Sequence, residues 1–321
     1  MKWVYLDWGV ISSLKKEENI GLKALLLSNK DKLFFVYSLC HLEDLMRSSG
    51  NPLFDTDIKM MSDLMDDHML YYKEGKFWMD RVSPEECCDS FSDNASSLSQ
   101  GLDTFLSALE DYFPENDVSE QLKANLKTTI SIPADFRANE LFKRSLPGLP
   151  ESPSVKEAIE ACRLFLNDLM MKPGYYKEYR RQITNSGFRL ESNAGNWNDE
   201  EALDKITLFL RSKGIDMSFD DYVASCFHNW PFTWVEFFTA AYCILDMLGF
   251  HADKLSKKSH TLRNMTTDAK HAVYAGICDW FVTADDGLYH KAKALYSHFR
   301  VPTCVMTPSE VVSAIKLEYQ S

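Results

Sequence analysis

Two acids follow short apolar runs at opposite ends of this chain. The first is Asp7 in Trp3-Val-Tyr-Leu-Asp7-Trp-Gly9, and the second is Asp285 in Trp280-Phe-Val-Thr283-Ala-Asp285. Each run reads as a buried strand ending on a carboxylate. Two further acids fall beside them. Asp268 starts the helix that precedes the second run, and Asp44, or its neighbour Glu43, lies on a helix that follows the run Leu33–Tyr37. In a parallel sheet ligands sit outside the carboxyl ends of the strands, so Asp7 and Asp285 are expected neighbours, with the helix-borne acids closing the ring. Clustered carboxylates repel one another, and burying them is costly. A divalent cation offsets both effects, and an oxygen-only ligand set suits Mg²⁺ or Mn²⁺ rather than zinc. Such an ion would activate water and stabilise charge developing on a phosphodiester, with one acid serving as general base. The residues thus point to a metal-dependent hydrolase.

Neighbouring polar residues have more ordinary readings. His271 lies one helical turn after Asp268 and reads as packing or as a supporting hydrogen bond, since metal–carboxylate hydrolysis needs no histidine. Asp286 reads as an acid favoured at a helix N-terminus. Asp246 sits inside an apolar helix and reads as a buried acid satisfied by a partner.

These positions require strands alternating with helices. Residues 3–7 and 33–37 read as strands, and Ile20–Leu27 and the segment after Ser38 as helices. Residues from about 53 to 226 give amphipathic helical segments, including Asp57–Leu70, Leu102–Tyr112, Ser119–Lys127, Lys156–Met170 and Glu200–Lys213, with very few strand candidates. Alternation returns late: a helix over Thr233–Leu248, helix 267–278, strand 280–284, helix 287–298, strand 303–306 and helix 309–318. Neither fragment has enough strands for a sheet alone. The expected fold is therefore α/β, a parallel sheet flanked by helices and discontinuous in sequence. Residues 1–49 and 228–321 form it, and 50–227 are a mostly α-helical insertion.

Composition narrows the setting. The chain has 321 residues, 45% hydrophobic, with a formal net charge of −12, which disfavours coating nucleic acid over a whole surface. No apolar run approaches the roughly 18 residues of a membrane span, and the N-terminus lacks a leader's apolar region and cleavage site. The eight cysteines form no CxxC pair and read as reduced thiols of a cytoplasmic protein.

Asp7 after a short strand, Ser38-x5-Asp44, Asp268-x2-His271-Ala and Phe281-Val-Thr283-x-Asp285 together resemble the PIN domain. Lys291-Ala-Lys-Ala-Leu-Tyr and the last strand with Thr307-Pro308-Ser-Glu310 are also similar to PIN-like proteins. The resemblance covers residues 1–49 and about 240–321. It implies a Mg²⁺/Mn²⁺-dependent endoribonuclease, toxin-like or defensive. Asp7, the Glu43/Asp44 position, Asp268 and Asp285 would be its metal-binding and catalytic acids, and the Thr283 hydroxyl would orient Asp285. Many family members carry Asn, Ser or Thr two residues after the first acid. This chain has Gly9, so Ser12 or Ser13 would have to supply the hydroxyl.

Two basic stretches could hold an RNA substrate. Lys254, Lys257, Lys258 and Arg263 lead into Asp268. Lys177, Arg180 and Arg181 are interleaved with tyrosines whose faces can stack on unpaired bases. The helical insertion offers a surface for a regulatory protein. Two other readings stay open: a PIN-like adaptor with little or no catalysis, which Gly9 favours, and a phosphohydrolase acting on small nucleotides.

Overall fold

The computed structural model describes residues 1–47, 53–92, 164, 168–191, 193–225, 232–252 and 262–319. In chain order the elements are β1 (Lys2–Leu6), α1 (Trp8–Ser13), α2 (Ile20–Ser28), β2 (Leu33–Ser38), α3 (Leu39–Arg47), α4 (Phe54–Met65), β3 (His68–Lys73), β4 (Lys76–Arg81) and α5 (Pro84–Ser92). Then come α6 (Pro173–Asn185), α7 (Ala202–Ser212), α8 (Phe219–Ser225), α9 (Trp234–Leu248), α10 (Leu262–Ala275), β5 (Trp280–Val282), α11 (Asp286–Phe299), β6 (Cys304–Met306) and α12 (Pro308–Tyr319). The expected segments Leu102–Tyr112, Ser119–Lys127 and most of Lys156–Met170 lie outside the described residues.

The six strands form one sheet in the order β4-β3-β2-β1-β5-β6. All neighbours are parallel except β3 and β4. Helices connect the parallel strands and flank the sheet, an α/β fold. β1 is central because every one of its residues from Val4 to Leu6 is fully buried. Strands buried on both faces read as continuous apolar runs, and Val4-Tyr-Leu, Phe35-Val-Tyr and Trp280-Phe-Val all do. Tyr5 aligns with Val36 on one side and Phe281 on the other.

Two strands come from a stretch that the pattern reads as helical. The helix expected over Asp57–Leu70 stops at Met65, where Asp66 and Asp67 adopt left-handed backbone (φ 48° and 63°). His68-Met-Leu-Tyr-Tyr-Lys then adds to the sheet beside β2. The turn into β4 uses Glu74 and Gly75, both at positive φ, as a tight hairpin needs. The apolar residues Met60, Met61, Leu64, Met65 and Met69 carry no period that marks the change from helix to strand.

Two compact units are present. One gathers Met1–Asp93, Phe188–Asp253 and Met265–Ser321 and contains the whole sheet. The other comprises Asn94–Gly187 and Lys254–Asn264, and α6 belongs to it.

Candidate active site

Strand order reverses about β1: β2 lies on one side and β5 on the other, and the crevice at the carboxyl ends of such a pair is where open α/β sheets bind ligands. Asp7 is the first residue after β1, and its N–H donates to Val282 O at 2.8 Å, so the two strand ends are in step. Thr283, the residue after β5, is fully buried and joins the two acids. Its hydroxyl donates to Asp7 Oδ2 at 3.1 Å and accepts the N–H of Asp285 at 3.1 Å. Asp285 caps α11, its Oδ1 accepting the N–H of Leu288 at 2.9 Å.

This geometry explains Gly9. A Cβ there would stand 3.2 Å from Asp7 Oδ2, so a side chain would press on the carboxylate. The hydroxyl that Gly9 cannot supply comes from Thr283. The expected donors are engaged elsewhere: Ser12 donates to Gly9 O at 3.2 Å and Ser13 to Val10 O at 2.7 Å.

Asp44 sits on α3 in a polar network. His271 Nε2 lies 2.9 Å from Asp44 Oδ2, and Arg47 lies 3.1 Å from Asp44 Oδ1. Arg47 also donates to Thr267, the neighbour of Asp268, at 2.6 Å. Behind His271, its Nδ1 is 2.8 Å from the Tyr5 hydroxyl, which is 2.7 Å from Ser38 Oγ. His41 completes the network. Its Nδ1 accepts the N–H of Ser38 at 3.0 Å, so the proton is on Nε2 and donates to Leu6 O at 2.7 Å. Burial first, and the nearby His271 second, push the His41 imidazole down to about 3, so it stays neutral.

The four acids feel one another. Burial pushes the Asp7 carboxyl up; His271 and the Thr283 hydroxyl oppose this, while the charges of Asp44 and Asp285 reinforce it. Asp268 is pushed well above the ordinary carboxylate range, by burial and then by the charges of Asp7, Asp285 and Asp44, against Lys291. Asp44 goes the other way: burial raises it, but the hydrogen bond and charge of His271, with Arg47, outweigh burial and hold it low. The charge of Glu43 reaches Cys40 and Tyr274 instead, and its carboxylate meets Lys270 at 3.3 Å. Of the two candidates for the second acid, Asp44 is therefore the one coupled to the cluster.

The donor set suits a hard cation. Among the described residues no three of these carboxylates bring oxygens within 4.8 Å of one another. That spacing excludes a tight all-carboxylate cage.

The basic residues divide. Lys254, Lys257 and Lys258 lie outside the described residues, and Arg263 opens α10 half-buried. On α6, Lys177 is exposed, but Arg181 pairs with Glu178 at 2.6 Å and Arg180 is buried, its guanidinium 5.8 Å from the Tyr176 ring centre. Burial takes Arg180 out of the solvent-facing basic surface expected of it.

Tyr5 and Arg47 were not legible as parts of a site, since apolar strand and helix patterns absorb them; Ser38 was legible only through its spacing to Asp44. Asp246 is a buried acid with a partner, as its sequence setting predicts: Lys291 Nζ lies 2.8 Å from its Oδ1. No family model matches the chain, and no curated protein or solved structure matches it.

Proposed function

We propose that this chain is a metal-dependent nuclease of PIN-like type, cleaving phosphodiester bonds in RNA at the carboxyl ends of β1 and β5. The observation that carries this reading is the pair Asp7 and Asp285 at the reversal of strand order, linked through Thr283 and coupled to Asp268 and Asp44. Mg²⁺ or Mn²⁺ held among Asp7, Asp268 and Asp285, partly through its own waters, would polarise water and neutralise charge on the phosphate. Thr283 holds the Asp7 carboxylate in one orientation. An acid of the cluster not bound to the ion would accept a proton from the attacking water. Asp44, held by His271 and Arg47, shapes the rim.

The test is cleavage of end-labelled single-stranded RNA and DNA by purified protein in Mg²⁺, Mn²⁺ or EDTA, beside Asp285→Ala. Metal-dependent cutting that disappears in the variant supports the reading and ranks the two polymers. Equal cutting by parent and variant overturns it.

One observation favours the adaptor reading. Both oxygens of Asp44 already have protein partners, Arg47 and His271, which removes one acid from the ligand set. An absence of cutting with any metal, together with no phosphate release from nucleotides, would favour that reading.

A further inference from the structure

We propose a second metal site, distinct from the four-acid cluster: a zinc-class ion bound by Asp199, His251 and His290. The three come from separate elements of the sheet-bearing unit. Asp199 opens a 3₁₀ turn (Asp199–Glu201) before α7, His251 follows the end of α9, and His290 lies on α11. One ligand atom from each lies within 4.8 Å of the others. Two imidazoles and one carboxylate suit zinc and its neighbours rather than magnesium, and three protein ligands leave a position open to water.

The distances are close to what such an ion needs. His290 Nδ1 is 3.0 Å and 3.1 Å from the two Asp199 oxygens. Ligands about 2.0 to 2.1 Å from tetrahedral zinc lie roughly 3.3 Å apart. The ion would replace the proton shared by that pair. The His251 and His290 rings are stacked, with centres 3.8 Å apart and planes 17° apart, so coordination requires one of them to turn and present its lone pair. Asp286 stands beside both, 3.8 Å from His251 Nδ1 and 3.6 Å from His290 Nε2, placed to orient the rings or to approach the ion.

His251 sets this cluster apart from a simple His–Asp ion pair. Among the described residues its Nε2 is buried with no hydrogen-bond partner, a condition that buried polar atoms rarely tolerate. Its backbone is left-handed (φ 41°), a turn conformation that histidine enters more readily than most residues. A histidine with a buried ring nitrogen left without a partner among the described residues, beside a second histidine and a 6% exposed aspartate, has a reason to be there if it ligates.

The full chain, stripped by chelator, is titrated with Zn²⁺ against a chromophoric competitor and with Co²⁺ followed by its visible absorption. One equivalent with tetrahedral Co²⁺ bands is expected. His251→Asn, which tolerates left-handed backbone, and His290→Gln should each weaken Zn²⁺ by about 10-fold or more. Asp268→Asn should leave it unchanged, with circular dichroism confirming the fold of each variant. If the parent binds no Co²⁺ tetrahedrally, or His290→Gln folds and binds as tightly as the parent, the site is wrong. Loss in Asp268→Asn instead would place the ion at the four acids and also overturn the proposal.

Discussion

Asp44 and Asp268 lie within electrostatic reach of each other, yet their surroundings push their carboxyls in opposite directions. Around Asp44 the chain supplies its own partners, the Arg47 guanidinium and the His271 imidazole. Around Asp268 the neighbours are mainly Asp7 and Asp285, with Lys291 the opposing charge. Asp246 repeats the Asp44 pattern deeper in the fold, paired with Lys291 where both side chains are almost wholly buried. Acids that bring their own counter-charge need nothing further and can hold the structure together. Acids that face one another lack that counter-charge, and on the proposed reading a cation from solution supplies it. The acids with structural and chemical roles can thus be told apart by who neutralises them.

The largest test breaks a self-neutralised pair. Asp246→Leu leaves Lys291 buried without its ion-pair partner, which should lower stability by about 3–5 kcal/mol in denaturant unfolding. Asp246→Leu with Lys291→Met should restore most of that, because the penalty lies in the orphaned charge. On the open side, Asp285→Ala should leave the chain folded and reduce RNA cleavage by about 100-fold or more, measured on end-labelled substrate in Mg²⁺. Thr283→Val keeps the shape but removes the hydroxyl from Asp7. Cleavage should fall by about 10-fold, with unfolding free energy reduced by about 1.5–3 kcal/mol.

The smallest effects are the most diagnostic, because they differ in sign. Asp44 titrates low in the fold, so its contribution to stability is full above the ordinary carboxylate pKa and is lost as pH falls through the lower folded value. Asp268 titrates high, so stability declines as pH rises from the ordinary carboxylate value to the raised one, and the penalty is complete above it. In EDTA, Asp268→Asn should therefore gain stability over the parent on the higher-pH side, and Mg²⁺ should narrow that gap. Asp44→Asn should flatten the acid limb and lose stability at neutral pH. Thermal melts across pH check both. If the two variants shift in the same direction, the contrast between the two sides is wrong.

The strand-to-acid units Trp3–Asp7 and Trp280–Asp285 could be read from sequence because a doubly buried strand leaves a short, unbroken apolar run and the acid after it stands out. The return of alternation after residue 233 was legible for the same reason. β3 was not, since His68-Met-Leu-Tyr-Tyr-Lys follows an amphipathic helix with no Gly or Pro at the join, and the break is made by left-handed Asp66 and Asp67. The Thr283 bridge to Asp7 joins residues 276 positions apart, a link no local pattern carries. His251 and Asp199 gave no signal because a histidine near a helix end and an aspartate beside Asn198 each have ordinary local explanations.

The central position of β1 has a consequence for synthesis. Its partner β5 leaves the ribosome some 276 residues later, a delay of roughly 15 to 60 s at about 5–20 residues per second. Until then β1 has β2 but lacks its second neighbour, and the edge carrying Val4, Tyr5 and Leu6 is open to pairing with another strand. The same order of events delays the site. Asp7 and Asp44 emerge early and Asp268 and Asp285 near the end, so a nascent chain carries half of the acids without the other half. On the proposed reading, cleavage can begin only once the sheet has closed around its first strand.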